Sequence, residues 1–218
     1  MEFDAEILAI KDETWDTKTF TLKQPSEINF ISGQCCRIRF NNQLIKNVFI
    51  TSLPSEKEYF RITLKKTSDK IKGLFNLKVG DKVIIEKVGG KGLPFNQDTI
   101  VIVGGSGITC VISAIKESIL NRHEIYLFYS NRTRADIIFR SELNLLSYHN
   151  KNFHLINTIT TNTCGGDIPE CGRINESMIR KYVNDPGNYH FYISGPSSMM
   201  ADMRRMLKVM KIKKEKMT

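Results

Sequence analysis

Several features that define other protein classes are missing from this 218-residue sequence. No apolar run reaches about 18 residues, the minimum for a membrane-spanning helix. The nearest candidate, residues 99–115, is interrupted by three glycines. The first residues contain no basic segment followed by an apolar one, which a secretion signal requires. We therefore expect a cytoplasmic protein without a membrane span.

The five cysteines are too few and too irregularly spaced to staple a secreted domain. No pair has C-x-x-C spacing, and no run matches a zinc site or an iron–sulfur cluster. The sequence therefore predicts no metal site, and an iron–sulfur centre would have to belong to a partner. Cys164 and Cys171 flank a short loop that could be oxidised, but reduced thiols are the expectation.

Acidic residues are outnumbered, 23 against 32 Lys and Arg, which gives a formal charge of +9. Such a balance attracts acidic proteins, phosphorylated cofactors or nucleic acid. Nucleic-acid sites usually alternate basic residues with aromatic stacking platforms or present a helix to a groove. Neither pattern is evident, so no nucleic-acid partner is predicted.

Residues 1–97 follow a period of two, which is typical of strands that are buried on one face. Cys36, Ile38 and Phe40, for example, alternate with two arginines. Turn residues separate the strands. Six short antiparallel strands favour a closed barrel, because closure removes unpaired edges. The predicted strands are residues 3–10, 19–22, 36–40, 47–51, 60–64 and 82–88.

Residues 98–218 change to a repeat of strand, turn and helix. Residues 99–103 form an apolar run of the kind buried on both faces of a parallel sheet. Alternating strands and helices indicate a Rossmann-like parallel α/β domain. The predicted strands are 99–103, 124–129, 153–158 and 189–193, and the predicted helices lie near 108–119, 136–146, 176–183 and 198–210.

A glycine-rich turn, Gly104-Gly105-Ser106-Gly107-Ile108-Thr109, joins the first of these strands to its helix. Backbone N–H groups in such a turn can approach a phosphate, and the helix N-terminus adds partial positive charge. The spacing is not the G-x-G-x-x-G fingerprint. A tight turn needed only for packing is therefore the competing interpretation.

Two further turns lie at the same predicted edge of the sheet. Arg132 and Arg134 follow the second strand, where an NAD-specific domain usually has an Asp or Glu, and arginine binds phosphate oxygens well. The nearest acid, Asp136, is predicted to start a helix. Ser194 ends the last strand, where its hydroxyl could contact a bound ring. The methionines that follow at helical spacing are predicted to fill the core.

The order of these motifs resembles the ferredoxin–NADP reductase superfamily. A barrel is followed by Gly-Gly-Ser-Gly-Ile-Thr, then Tyr-Ser-Asn-Arg-Thr, then Ser-Gly-Pro-Ser-Ser-Met-Met. The resemblance spans nearly the whole chain. It implies an FAD-binding β-barrel domain at residues 1–97 and an NAD(P)-binding Rossmann-like domain at residues 98–218.

On the nicotinamide side, the resemblance places Ser194 beside the reacting ring, as the residue predicted to take part in catalysis. Ser194-Gly195-Pro196 stands where the family has Cys-Gly-Pro. The remaining residues implied to bind the dinucleotide are Gly105, Ser106, Gly107, Thr109, Arg132, Arg134, Gly195, Pro196 and Met199.

On the flavin side the match is weaker. The family's Arg-x-Tyr-Ser signature falls on Lys46-Asn47-Val48-Phe49. Lysine cannot fork across two phosphate oxygens as arginine does, and valine offers no aromatic face, although Phe49 could stack from a shifted register. The residues implied to bind FAD are Lys46, Asn47, Val48, Phe49, Ile50, Thr51, Lys72, Gly73 and Leu74.

The resemblance implies a reductase that passes hydride from NADPH or NADH to FAD and electrons onward to a protein or small-molecule acceptor. The arginines favour NADPH. The basic charge favours an acidic electron carrier such as a ferredoxin, a flavodoxin or an oxygenase component. The altered flavin signature leaves a second interpretation open, a reductase-like regulatory or binding subunit that holds little flavin.

Overall fold

The structure is a computed structural model that describes residues 2–26, 28–41, 43–93, 95–161, 166 and 168–218, without the side chain of Lys70. The chain forms two compact units. The first comprises Met1–Pro94 and Thr109–Glu117, and the second comprises Phe95–Ile108 and Ser118–Thr218. The single boundary between residues 97 and 98 stays a prediction.

The first unit contains an antiparallel six-stranded sheet, as predicted. Its strand order is β4-β3-β6-β1-β2-β5, so β4 and β5 are the edge strands. Ile50, which directly follows β4, forms an antiparallel bridge with Ile62 of β5 and so links the two edges. Each strand contributes buried side chains to one apolar core, two residues apart except at an irregularity in β4. The elements are β1 (Phe3–Thr14), β2 (Thr17–Lys23), β3 (Cys35–Phe40), β4 (Gln43–Phe49), β5 (Tyr59–Lys65), α1 (Asp69–Lys72) and β6 (Lys82–Gly89).

The second unit contains a parallel five-stranded sheet with the order β10-β9-β8-β7-β11. The fold is therefore the predicted barrel plus Rossmann-like domain. Met203 and Met210 are buried in its core, as predicted. The elements from β7 onward are β7 (Thr99–Gly104), α2 (Ile108–Leu120), of which Thr109–Glu117 belong to the first unit, β8 (Ile125–Asn131), α3 (Arg140–His149), β9 (Phe153–Ile159), β10 (Glu170–Cys171), α4 (Glu176–Tyr182), β11 (His190–Ser194) and α5 (Ser197–Val209).

The helix predicted to begin near Asp136 begins later. The Thr133 N–H and hydroxyl both donate to the Asp136 carboxylate, at 3.0 and 2.7 Å, and close a separate 3₁₀ turn over Arg134–Asp136. Phe139 then adopts a left-handed backbone, with φ of 60°, and caps α3. The backbone therefore changes direction between the 3₁₀ turn and α3.

The cysteines divide into two groups. Cys35, Cys36 and Cys110 are not disulfide-bonded, and burial raises the pKa of Cys36 to about 12. Cys171 is disulfide-bonded, so the expectation of a reduced thiol there is wrong. Its pairing with Ile159 in the sheet fixes its position, which sequence spacing does not predict. Cys164 lies outside the described residues.

Within the part of the chain that the structure describes, no helix is long and apolar enough to cross a bilayer. The same residues contain no group of three or more His, Cys, Asp or Glu side chains arranged to hold a metal ion. The cytoplasmic location stays a prediction.

Candidate functional site

The centre of the parallel sheet contains a switch in strand order. The chain leaves β7 and continues to β8 on one side, whereas the last strand, β11, returns to pair with β7 on the other side. Ligands of open α/β sheets bind at the carboxyl ends of the strands on either side of such a switch. Residues 105–107 follow β7 and residues 195–196 follow β11, so both predicted turns lie there.

The glycine-rich turn is one 3₁₀ turn, Gly105–Gly107, which runs directly into α2. The Ile108 N–H donates to the carbonyl oxygens of Gly105 and Ser106. Gly105 has a φ of +53°, and a Cβ there would meet nothing within 4 Å. Backbone N–H groups therefore lie at the start of a 13-residue helix beside open space, which suits a phosphate group.

The two turns are in close contact because glycine lacks a side chain. A Cβ on Gly107 would lie 2.8 Å from the carbonyl carbon and oxygen of Ser194 and 2.9 Å from its Oγ. A Cβ on Gly104 would lie 2.4 Å from the sulfur of Met199 and 3.1 Å from Pro196. The structure thus brings the Ser194 hydroxyl beside the glycine turn. The catalytic and binding roles of these residues stay predictions.

The segment after β8 presents its arginines differently. Arg132 is exposed and Arg134 is half-buried. A Cβ on Gly166 would lie 3.3 Å from the Arg134 guanidinium. The Asp136 carboxylate already accepts two hydrogen bonds from Thr133. This carboxylate is thereby held within the turn.

Tyr129 was missed by the sequence analysis. It is fully buried in β8, and its hydroxyl donates to the Gly105 carbonyl oxygen at 3.0 Å. The sequence signal was a phenol near the carboxyl end of β8, two residues before the strand ends.

In the first unit, β4 has an irregularity at the predicted flavin signature. Cys36 of β3 pairs with Val48, and Ile38 pairs with Ile45, so Lys46 and Asn47 together face a single residue of β3. Such a β-bulge re-aims side chains. Asn47 adopts a φ of 58°, and both bulged residues are exposed. Lys46 therefore offers its ammonium group to solvent.

The residues that follow the bulge alternate between the two faces. Val48 and Ile50 are buried in the barrel core, whereas Phe49 is half-buried on the other face. Phe49 is therefore the aromatic side chain that β4 offers outside the core. Leu74 is also buried, so the side chains of these three core residues pack within the protein. Their implied roles in FAD binding stay predictions.

The second predicted phosphate contact lies at α1. Lys72 is exposed and forms an ion pair with Asp69, whose pKa is lowered by the hydrogen bond from that lysine. Gly73 follows at the start of a 3₁₀ turn. The ammonium of Lys72 already has a carboxylate partner, so a phosphate would have to compete for it.

Buried polar contacts fix the chain just after β4. The Ser113 hydroxyl donates to the Ser52 carbonyl oxygen at 2.6 Å and accepts from Ser32 at 2.9 Å. The Lys116 ammonium donates to the Thr51 carbonyl oxygen at 3.2 Å. These two polar side chains interrupt the apolar face of α2 in the sequence, a signal that could have revealed them. They hold the predicted flavin-binding segment by its main chain.

The groups described above are of the kinds that bind a nicotinamide dinucleotide and a flavin nucleotide. The glycine turn supplies backbone N–H groups and open space for a dinucleotide phosphate. Lys46 supplies a cation and Phe49 an aromatic surface for a flavin nucleotide.

Comparison with known proteins agrees with this description. Residues 101–205 match the family model described as an oxidoreductase NAD-binding domain. NADH-cytochrome b5 reductase 2-A of Vanderwaltozyma polyspora is 29% identical over 216 residues, which cover 90% of this chain and 72% of that protein.

Two solved structures share the fold. A ferredoxin NADP+ reductase from Neisseria gonorrhoeae with bound FAD and NADP has a TM-score of 0.81 at 22% identity, covering 96% of this chain and 91% of that one. The cytochrome b5 reductase domain of Ulva prolifera nitrate reductase has a TM-score of 0.79 at 21% identity, covering 98% and 94%.

Proposed function

We propose that this chain is a member of the ferredoxin–NADP reductase superfamily that passes reducing equivalents from NADPH, through FAD, to an acidic electron-carrier protein. It is an FAD-containing, NAD(P)H-dependent reductase. The observation that carries the proposal is the contact between the glycine turn after β7 and Ser194 after β11. This contact brings a turn with backbone N–H groups next to the Ser194 hydroxyl, at the point where the strand order of the sheet reverses.

The residues of this chain act mainly by positioning. FAD, when bound, would supply the redox chemistry by which hydride is accepted from the nicotinamide and electrons are released to an acceptor. The turn at Gly105–Gly107 would hold the dinucleotide phosphates, and Ser194 would contact the nicotinamide. Lys46 would neutralise a flavin phosphate, with Phe49 against the flavin ring.

We favour NADPH over NADH because of charge. Arg132 and Arg134 follow β8, at the sheet edge where a ribose or its phosphate binds in dinucleotide domains. Asp136, the acid that could accept from a ribose hydroxyl, is occupied by Thr133. Guanidinium groups bind phosphate through charge-assisted hydrogen bonds. NADPH carries a phosphate on its adenosine ribose, which NADH lacks.

The first experiment is the visible absorption spectrum of the purified protein, repeated without oxygen after adding NADPH or NADH. We expect a flavin band that bleaches faster with NADPH. Faster bleaching with NADH would contradict the cofactor preference alone. No flavin band, even after incubation with FAD, would overturn the reductase proposal and favour the flavin-poor subunit.

The proposed acidic acceptor is tested by measuring the rate of electron transfer at different ionic strengths. A protein with a net charge of +9 should attract an acidic carrier, and salt screens that attraction. We expect electron transfer to an acidic ferredoxin to slow as salt rises from about 0.01 to about 0.5 M, where the Debye length falls severalfold. Transfer to a neutral quinone is the control and should stay constant. Equal rates with the ferredoxin at both salt concentrations would contradict an acidic partner.

A further inference from the structure

Tyr129 carries a hydroxyl at a position where packing alone needs only an aromatic ring. The residue is fully buried. Its phenol oxygen donates to the Gly105 carbonyl oxygen at 3.0 Å and accepts from the Ile138 N–H at 3.3 Å. The hydroxyl therefore joins two segments that follow neighbouring strands of the sheet.

The bond to Gly105 fixes the orientation of one peptide group. The Gly105 carbonyl and the Ser106 N–H belong to the same planar trans peptide, in which the two groups point in opposite directions. Because Tyr129 holds the carbonyl toward the buried side, the Ser106 N–H points away from it. Ser106 is exposed, and a Cβ on Gly105 would meet nothing within 4 Å. The buried phenol thus fixes the plane of the Gly105–Ser106 peptide and with it the direction of the Ser106 N–H.

Gly105 needs such a constraint. Glycine has more backbone freedom than other residues, and its φ here is +53°. The Ile108 N–H also donates to the same carbonyl, but it is part of the turn itself. Tyr129 is the contact that ties this peptide to the sheet.

The second bond reaches the segment that contains the arginines. Ile138 is buried and lies between the 3₁₀ turn at Arg134–Asp136 and Phe139, whose left-handed backbone begins α3. The Ile138 N–H would be an unsatisfied buried donor without the phenol oxygen. One hydroxyl therefore fixes both the phosphate turn and the chain that follows Arg134.

We propose that Tyr129 is a positioning residue that presets the glycine turn for the phosphates of a nicotinamide dinucleotide. The inference rests on the proposed function of that turn. Removing the hydroxyl should cost ground-state affinity for the dinucleotide, because the turn would have to be ordered at the moment of binding. The phenol is fully buried and bonded to two main-chain groups, so the rate at saturating dinucleotide should be nearly unchanged.

The test is Tyr129→Phe in the full chain, with NADP+ and NAD+ as binding probes and NADPH and NADH in steady-state assays. We expect Kd and KM to rise about three- to tenfold, the effect of one net hydrogen bond. The kcat should stay within about twofold, as expected when only ground-state binding is lost. Tyr182→Phe, which removes a hydroxyl bonded to Glu170 in the same unit, is the matched control and should leave Kd unchanged.

The outcomes separate this inference from the proposed function. A wild-type protein that binds neither dinucleotide overturns both. A wild-type protein that binds, with equal affinity in the Phe variant, overturns only the role of Tyr129. If Tyr129→Phe does not fold, NMR of the tyrosine-labelled wild-type protein replaces it. The buried hydroxyl proton should then shift when NADP+ is added, and an unmoved signal would overturn the proposal.

Discussion

Replacing Gly107 with alanine should weaken dinucleotide binding about 100-fold and lower the free energy of unfolding by about 1–3 kcal/mol, the usual cost of overpacking. The new Cβ would lie 2.8 Å from the backbone of Ser194, a distance that Cβ atoms essentially never show. Backbone at the end of a central strand pair cannot rotate away as a side chain can. The turn after β7 and the turn after β11 would therefore separate, and the predicted phosphate and nicotinamide contacts would lose their mutual geometry.

Two other glycines provide the comparison for this prediction. At Gly187 a Cβ would make only an ordinary contact with Asp185, at 3.4 Å, so Gly187→Ala should leave affinity unchanged. At Gly105 the space is open but φ is +53°, so alanine there tests backbone strain of about 1–2 kcal/mol without crowding. Titration of NADP+ and urea unfolding measure both quantities. Equal affinity in Gly107→Ala and Gly187→Ala would show that the close approach to Ser194 is irrelevant to binding.

Reversing the charge of Lys46 should reduce FAD affinity about 10- to 100-fold. A hydrogen bond to a charged group contributes about 1.5–3 kcal/mol, which corresponds to this range, and a glutamate would add repulsion from the phosphate. Lys46 is exposed on the bulge of β4, so Lys46→Glu should leave the free energy of unfolding of the FAD-free protein within about 0.5 kcal/mol of wild type. Flavin fluorescence during titration with FAD measures the affinity.

The matched control is Lys23→Glu at the end of β2. This lysine is also exposed in the first unit, and the substitution changes the net charge of the protein by the same amount. A long-range electrostatic effect would weaken FAD binding in both variants, whereas a direct phosphate contact would weaken it only in Lys46→Glu. If the two variants bind FAD equally, Lys46 does not contact the cofactor.

Much of the architecture follows from local sequence patterns. Alternation over residues 36–40 and 60–64 predicted strands of an antiparallel barrel, because the period of two matches the strand pleat. The change to strand, turn and helix after residue 98 predicted the parallel sheet. Both predictions were confirmed. These patterns predict secondary structure because side-chain direction repeats every two residues in a strand and about every 3.6 residues in a helix.

The bulge in β4 shows where prediction of the buried face from a period of two fails. A period of two places Lys46 and Val48 on the same face, yet Lys46 is exposed and Val48 is buried. The extra residue in β4 is defined by its pairing with β3, a strand from a different part of the sequence. The left-handed Phe139 that delays the start of α3 and the disulfide at Cys171, which was the less favoured alternative, also leave no mark in the periodicity of the sequence.

The sequence by itself determined the two architectures, the glycine turn, and the residue types at the carboxyl ends of β7, β8 and β11. Only the tertiary structure decided which of these ends meet. The contact of Gly107 with Ser194 and the hydrogen bond from Tyr129 to Gly105 join residues far apart in the chain. Composition and periodicity describe local preferences, whereas such contacts depend on strand order, which the whole sheet sets when it forms.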